Sequence, residues 1–255
     1  MLLFLAGTSD ARELALTLQK SGMDILTTVV TENAAEELKR VRLNVRVGRL
    51  TAEEMIELIE TKQVKAIVDA SHPFAEEASV NAMKAASRAS VPYVRYERQS
   101  QQYQHPKMIL VDDYEEAADI VAEKQGVVML TTGSKTLQTF TRKLLHLDNI
   151  RLIARMLPRK DNMEKCETLG FPQKNIVAIQ GPFTKPFNKA LYEQFGVTHM
   201  ITKESGKQGS VDEKVDAALE LGIETIMIRR PRIQYDTVFS TYDEVVEHLN
   251  SLVVT

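Results

Sequence analysis

The sequence contains one cysteine, no tryptophan and no long apolar run, and it leans strongly toward neither sign of charge. Cys166 by itself can form neither an intrachain disulfide nor a thiolate metal cluster, which fits a reducing cytoplasm. With 32 basic and 35 acidic side chains the net charge is −3. There is no basic field of the kind that neutralises nucleic-acid phosphates, so no nucleic-acid partner is expected. Any anionic ligand has to be met by local arginines and lysines. The most apolar stretches, Ile25 to Val30 and Val127 to Leu130, fall far short of the roughly 20 residues a membrane-spanning helix requires. No membrane association is expected. The opening Met1-Leu2-Leu3-Phe4-Leu5-Ala6-Gly7 carries no basic leader and reads as a first strand, so a signal peptide is not expected either. His72, His105, His146, His199 and His248 never approach one another at ligand spacing, and no bound metal is expected.

What is present is alternation. Short β-branched runs recur with helical segments between them, the pattern of an α/β protein with mainly parallel sheets flanked by helices. Strands are expected over Leu2 to Ala6, Asp24 to Val30, Ala66 to Asp69 and Tyr93 to Arg95. Helices are expected over Ala11 to Ser21, Ala52 to Lys62 and Ala75 to Ser90. The rhythm restarts with strands over Val127 to Leu130, Arg151 to Arg155, Ile176 to Ala178, His199 to Thr202 and Thr225 to Ile228. Runs this apolar are buried on both faces. The irregular, glutamine-rich stretch from Arg98 to Asp112 reads as a linker. The expected organisation is therefore an N-terminal lobe over residues 1–98, a linker over 99–112 and a C-terminal α/β lobe over 113–255. The shared strand, loop and helix order of the halves is compatible with internal duplication.

Ligands of parallel α/β sheets bind beyond the carboxyl ends of the strands, where helix N-termini point. The loop after the first strand is Gly7-Thr8-Ser9-Asp10-Ala11-Arg12. Its amides and hydroxyls can hold a phosphate, although Ser9 or Asp10 would equally serve as a plain helix cap, and the full GxGxxG fingerprint is absent. Thr31 and Glu32 end the second strand, where an acid favours a ribose 2′-hydroxyl and an arginine a 2′-phosphate. The third strand leads into Asp69-Ala70-Ser71-His72-Pro73-Phe74. There His72 is a candidate proton donor or orienting group; on the plainer reading Ser71 caps a helix, Pro73 starts it and His72 lies on the surface. Arg95 and Arg98 flank Tyr96, as ligand groups or as solvated charge. Thr131-Thr132-Gly133-Ser134-Lys135 lacks the Walker spacing but can bind an anion through its amides. Arg155, Gln180 to Thr184, Lys203 to Gly206 and Arg229 close further strands. Each could be ordinary turn chemistry, but basic and polar residues recur at one end of successive strands.

Taken together, Gly7 to Arg12, Asp69 to Phe74, Arg95 to Arg98, Thr131 to Lys135, Gln180 to Phe183 and Lys203 to Gly206 resemble the precorrin-6A reductase and cobalt-precorrin-6A reductase family. The match rests on the order and spacing of the set across nearly the whole chain. The resemblance implies two Rossmann-like or flavodoxin-like lobes with the active site between them and the nucleotide held mainly by the N-terminal one. It implies NADPH- or NADH-dependent reduction of the C18=C19 double bond of a tetrapyrrole, metal-free or cobalt-containing, on the cobalamin route, with neighbouring enzymes of that route as partners. The cofactor set is then Gly7, Thr8, Ser9, Asp10, Arg12, Thr31, Ser71, His72, Thr132, Gly133 and Ser134. A polycarboxylated substrate would be met by Arg95, Arg98, Lys135, Arg155, Lys203, Ser205, Gly206 and Arg229. The alternatives are another Rossmann-like reductase, disfavoured by the thin glycine fingerprint, and a tetrapyrrole or nucleotide carrier without turnover.

Overall fold

The structure, a computed structural model, describes residues 1–98, 104–204 and 213–253. The chain begins with β1 (Leu2–Ala6), α1 (Ser9–Lys20), β2 (Ile25–Val29), α2 (Glu32–Arg40), β3 (Asn44–Val47), α3 (Ala52–Lys62), β4 (Ala66–Ala70), α4 (Glu76–Ala89) and β5 (Tyr93–Tyr96). There follow β6 (Met108–Val111), α5 (Tyr114–Ala122), β7 (Gly126–Leu130), α6 (Leu137–Leu144), β8 (Ile150–Met156), α7 (Lys160–Thr168) and β9 (Ile176–Ala178). The remainder is α8 (Lys185–Phe195), β10 (His199–Lys203), α9 (Glu213–Glu220), β11 (Glu224–Ile228), β12 (Val238–Phe239) and α10 (Tyr242–Val253). These build two six-stranded sheets, β12-β5-β4-β1-β2-β3 and β6-β11-β10-β7-β8-β9. Every pairing within them is parallel. The expected fold class is the one found.

Alternate residues of one strand feed opposite faces of the first sheet, as the two-residue period of a strand requires. Leu2 and Phe4 of β1 pack with Leu14 and Leu18 of α1 and with Val245 and Leu249 of α10. Leu3 and Leu5 of the same strand join Met55 and Ile59 of α3 and Ala82 and Ala85 of α4. Helices thus cover both faces, which is why the central strands carry unbroken apolar runs. In the second sheet Met129, Ile153, Met200 and Met227 pack with Tyr192 of α8 and with Val215, Ala217 and Ala218 of α9.

Two of the sequence expectations need correction. The stretch read as a linker contains β6, whose Met108 to Val111 pair with Thr225 to Ile228 of β11. The division into lobes also differs: residues 1–99 and 231–255 form one compact unit and residues 100–230 the other. Val238 and Phe239 of β12 lie in register with Arg95 and Tyr96 of β5, and the Arg95 and Glu97 amides donate to the Thr237 and Phe239 carbonyls at 2.9 Å. Each sheet therefore completes its edge with a strand that follows the other sheet's fifth strand in the chain. A boundary drawn from local sequence cannot see such an exchange.

Leu249 is 1% exposed within the apolar cluster that α10 shares with β1 and α1. Leu249→Ala is expected to destabilise the first unit by about 2–5 kcal/mol, read as a lower denaturant midpoint. An unchanged midpoint would mean that α10 does not hold this unit together.

Candidate functional site

In both sheets the strand order reverses direction at an internal pair, β1 against β4 in the first and β7 against β10 in the second. Chains leave such a pair toward opposite faces, and the loops beyond its carboxyl ends frame a crevice. Of the loops singled out from sequence, Gly7 to Arg12 and Asp69 to Phe74 stand at the first reversal, and Thr131 to Lys135 and Lys203 at the second; Thr31, Arg95 to Arg98, Arg155, Gln180 to Thr184 and Arg229 belong to neighbouring strands.

At the first reversal the backbones of the two loops touch. A Cβ on Gly7 would lie 2.6 Å from the His72 nitrogen and 3.2 Å from the Ser71 Cα. No side chain fits there, so glycine is demanded by close approach. The cap of α1 is Thr8, whose hydroxyl accepts from the Ala11 amide at 3.2 Å. Ser9 and Asp10, the expected caps, instead lie in the first turn. Asp10 is buried and ion-paired with Arg98, so its charge is neutralised where a phosphate would otherwise be repelled. Thr31 caps α2 in the same way, accepting from Ala34 at 3.3 Å. A hydroxyl that accepts from the backbone keeps its own O–H to donate outward. Glu32 is exposed in the first turn of α2, and Arg12 is half-buried in α1.

The loop after β4 does not begin a helix at Ser71, as the plainer reading expected; α4 starts only at Glu76, without a side-chain cap. Ser71 instead belongs to a buried network centred on Asp69. The Asp69 carboxylate accepts from the Ser71 amide at 2.9 Å, the Ser79 hydroxyl at 2.6 Å, the Tyr93 hydroxyl at 2.7 Å and the Arg95 guanidinium at 2.9 Å. Arg95 also reaches the Ser71 hydroxyl at 3.3 Å and Glu97 at 3.0 Å, and it lies 5.3 Å from the centroid of the Tyr235 ring. Both Asp69 and Arg95 are 0% exposed. Burial alone would raise the Asp69 carboxyl; the Arg95 charge and the serine hydrogen bonds overcome it and hold the group below its ordinary value. Arg95 was expected to bind substrate. Its burial and its partners make it part of the scaffold beneath the loop.

His72, on the surface side of this network, is half-buried, and its Nδ1 accepts from the Phe74 amide at 3.2 Å. A ring that accepts at Nδ1 carries its proton on Nε2.

At the second reversal, Gly133 has φ 82, the left-handed region that favours glycine, so the chain can turn from β7 into α6. Thr132 is buried and its hydroxyl accepts from Thr136 at 2.9 Å, while Ser134 donates to Asn162. Lys203 ends β10 with its ammonium 5.3 Å from the centroid of the Tyr114 ring. Burial, and then the charge of Lys135, lower its pKa. Arg229 follows β11, partly exposed, and donates to Asp112 at 2.8 Å. Arg155, at the end of β8, is 8% exposed and donates to Asn188 at 2.7 Å, so like Arg95 it is largely withdrawn from solvent. Ser205 and Gly206 lie outside the described residues.

The expected cofactor residues are thus divided: Gly7 to Arg12, Thr31, Ser71 and His72 belong to the first unit, and Thr132 to Ser134 to the second. Sequence reasoning missed Ser79, Tyr93, Tyr235, Asn162 and Asn188. For Tyr93 a signal existed. An acid inside the apolar strand Ala-Ile-Val-Asp-Ala needs buried partners, and Tyr93 shares a strand face with Arg95. Among the described residues no group of three or more His, Cys, Asp or Glu side chains could hold a metal, and no helix is long and apolar enough to cross a membrane.

Comparison with known proteins bears on both reversals at once. The family described as Precorrin-6x reductase CbiJ/CobK matches residues 1–250. A cobalt-precorrin-6A reductase of Priestia megaterium is 64% identical over 249 residues, covering 98% of each chain. Another of that name from Methanocaldococcus jannaschii is 35% identical over 253 residues, again covering 98% of each. A solved structure described as CobK precorrin-6A reductase superposes with a TM-score of 0.79 at 23% identity, covering 98% of this chain and 96% of that one, which establishes the shared fold.

Asp69→Asn should leave the Arg95 charge buried without its counter-ion, a loss of about 3–5 kcal/mol at neutral pH. Because the folded carboxyl sits below its ordinary value of 3.8, its contribution is complete above that value and disappears as pH falls through the lower, folded one. The stability gap between wild type and variant, measured by urea unfolding, should stay constant from neutrality down to that region and close only below it. A gap already closing near pH 6 would contradict the assignment.

Proposed function

The chain belongs to the precorrin-6x reductase family, and from that premise we propose that it reduces cobalt-precorrin-6A at the C18=C19 double bond with NADH as the electron donor. The observation that carries the reading is 64% identity along 98% of the chain to a cobalt-precorrin-6A reductase. Family membership makes the protein an oxidoreductase of cobalamin biosynthesis that uses a nicotinamide. The bound nicotinamide supplies the hydride; the protein's task is to hold, orient and shield.

The first reversal suits a dinucleotide. The first-turn amides of α1 face the carboxyl edge, as the unpaired N–H groups of any helix start do. The hydroxyls of Thr8, Ser9 and Thr31 add donors, and Arg98 neutralises the nearby Asp10. Glu32 supports NADH over NADPH: an exposed acid at the start of α2 accepts from a ribose 2′-hydroxyl and repels a 2′-phosphate. The second reversal suits substrate carboxylates. Lys203 is disfavoured in its charged form by burial and by Lys135, and an anion between the two lysines removes that penalty. Thr132, Gly133 and Ser134 would contribute there to an anion site, with Arg229 nearby on β11.

His72 is assigned as an orienting donor. The Phe74 amide already supplies a proton to Nδ1, so forming an imidazolium would set two N–H groups against each other. Nε2–H can donate a hydrogen bond to nucleotide or substrate, leaving the proton that follows hydride transfer to come from water.

Two measurements test this reading. Nicotinamide absorbance at 340 nm should fall only when cobalt-precorrin-6A is added, faster with NADH than with NADPH. Glu32→Arg should shift the ratio of kcat/KM toward NADPH by about tenfold or more; an unmoved ratio removes Glu32 from cofactor selection. His72→Gln, which keeps a donor, should hold kcat within a few-fold, whereas His72→Ala should lower it by about tenfold. Loss of an acid limb from the kcat–pH profile in both variants would restore the proton-donor role.

A further inference from the structure

One segment that recurs in the motif set remains without a role: the turn from β9 into α8, Gln180-Gly181-Pro182-Phe183-Thr184. It stands at the carboxyl edge of the second sheet, the edge that also bears Lys135 and Lys203. Phe183 and Phe187 stack there with ring centroids 5.3 Å apart and planes 15° from parallel. Phe187 is 37% exposed, and Leu157, at the end of the neighbouring β8, is 42% exposed. Large apolar side chains at an edge loop ordinarily turn inward, since exposure forfeits their burial energy.

The rings are also braced. The Gly181 backbone closes against Phe183, where an added Cβ would lie 3.2 Å from the ring. The Arg155 guanidinium stands 4.9 Å from the centroid of that ring. Asn188, 1% exposed, accepts from Arg155 at 2.7 Å and donates to the Thr184 carbonyl at 2.9 Å. Thr184 caps the helix on which Phe187 sits. A buried arginine and a buried asparagine thus fix the orientation of an aromatic pair that still shows a face to solvent. Strands in a sheet are about 4.8 Å apart. From β9 it is two strands to β7 and three to β10, so the phenyl pair stands about 10–14 Å along the edge from the lysine-bearing loops.

We propose that Phe183 and Phe187 form a ledge against which the flat face of the tetrapyrrole rests, while its carboxylates reach Lys135 and Lys203. The inference rests on the reductase reading and extends it by naming where the ring itself is held. The chemistry is complementary: a conjugated, polyanionic ring needs an apolar aromatic surface on its face and cations beyond its rim. Arg155 acts through Phe183, holding the ring in place, and so is a positioning residue.

The test is steady-state kinetics of Phe187→Ala with Phe187→Leu beside it. The alanine variant should raise KM for cobalt-precorrin-6A by about tenfold, with kcat and the KM for NADH within a few-fold of wild type. Leucine, which keeps apolar area without the aromatic face, should fall between. Phe187 is the more exposed ring, so its removal should leave the thermal midpoint nearly unchanged; if the alanine variant unfolds, the leucine variant carries the comparison. An unaltered KM for the corrin overturns the ledge, as does a drop in oligomeric size of Phe187→Ala on gel filtration, which would make the patch a contact between copies. If wild type consumes no NADH with the corrin, it is the reductase reading that fails. The ledge is then judged by equilibrium binding of the same corrin to wild type and Phe187→Ala, where equal affinities overturn it.

Discussion

The interaction on which the first unit's site depends is the ion pair of Asp69 and Arg95, both fully withdrawn from water. Such a pair is a weak source of stability, because desolvating two charges offsets most of their attraction. Its effect lies in what it connects. Asp69 ties together β4, Ser71 in the loop that follows, Ser79 in α4 and Tyr93 in β5. Arg95 adds Glu97 and, through the Tyr235 ring, the segment that returns from the second unit. An apolar substitute could fill the volume, but it would not dictate where the Ser71 amide and hydroxyl lie. Because Gly7 closes directly on the Ser71–His72 backbone, that position sets the relation of the two loops at the first reversal.

The two sheets repeat one plan and diverge in chemistry. Read from the reversal outward, each has five strands in the same order and a sixth, parallel strand at the edge next to the fifth. At the first reversal the charges are paired and buried, leaving hydroxyls and amides at the rim. At the second, two lysines sit close enough that one depresses the pKa of the other. The shared strand order of the two sheets is compatible with internal duplication.

Much of this was legible in the chain. The central strands were, because burial on both faces leaves runs such as Leu2 to Leu5 with no other reading. The loops at the two reversals were, because glycine, hydroxyl and basic residues gather where strands end. Elements whose residues face water were not. In α2 only Ala35 and Leu38 are buried, and the edge strand β3 has no buried residue. β12, two residues long, is defined wholly by its pairing with distant β5. Arg95 shows the same limit for side chains: arginine at a strand end reads as a ligand group, and what overrides that reading is its buried pairing with Asp69 of β4 and with Glu97, under the Tyr235 ring from a segment distant in sequence. The N-cap of α1 is Thr8, while its equally suitable neighbours Ser9 and Asp10 lie in the first turn, where Asp10 pairs with Arg98.

The crossed-over edge strands bear on how the protein emerges from a ribosome. Residues 100–230 are contiguous, so that unit has every described strand before β12 and α10 are made. The first unit, begun earlier, must wait for β12 and α10. Until then β5 presents an unpaired edge, the surface on which nascent chains join one another. Of the two units, the one translated first is thus the one that matures last, and a ribosome stalled before β12 would release a chain whose first unit is the incomplete one.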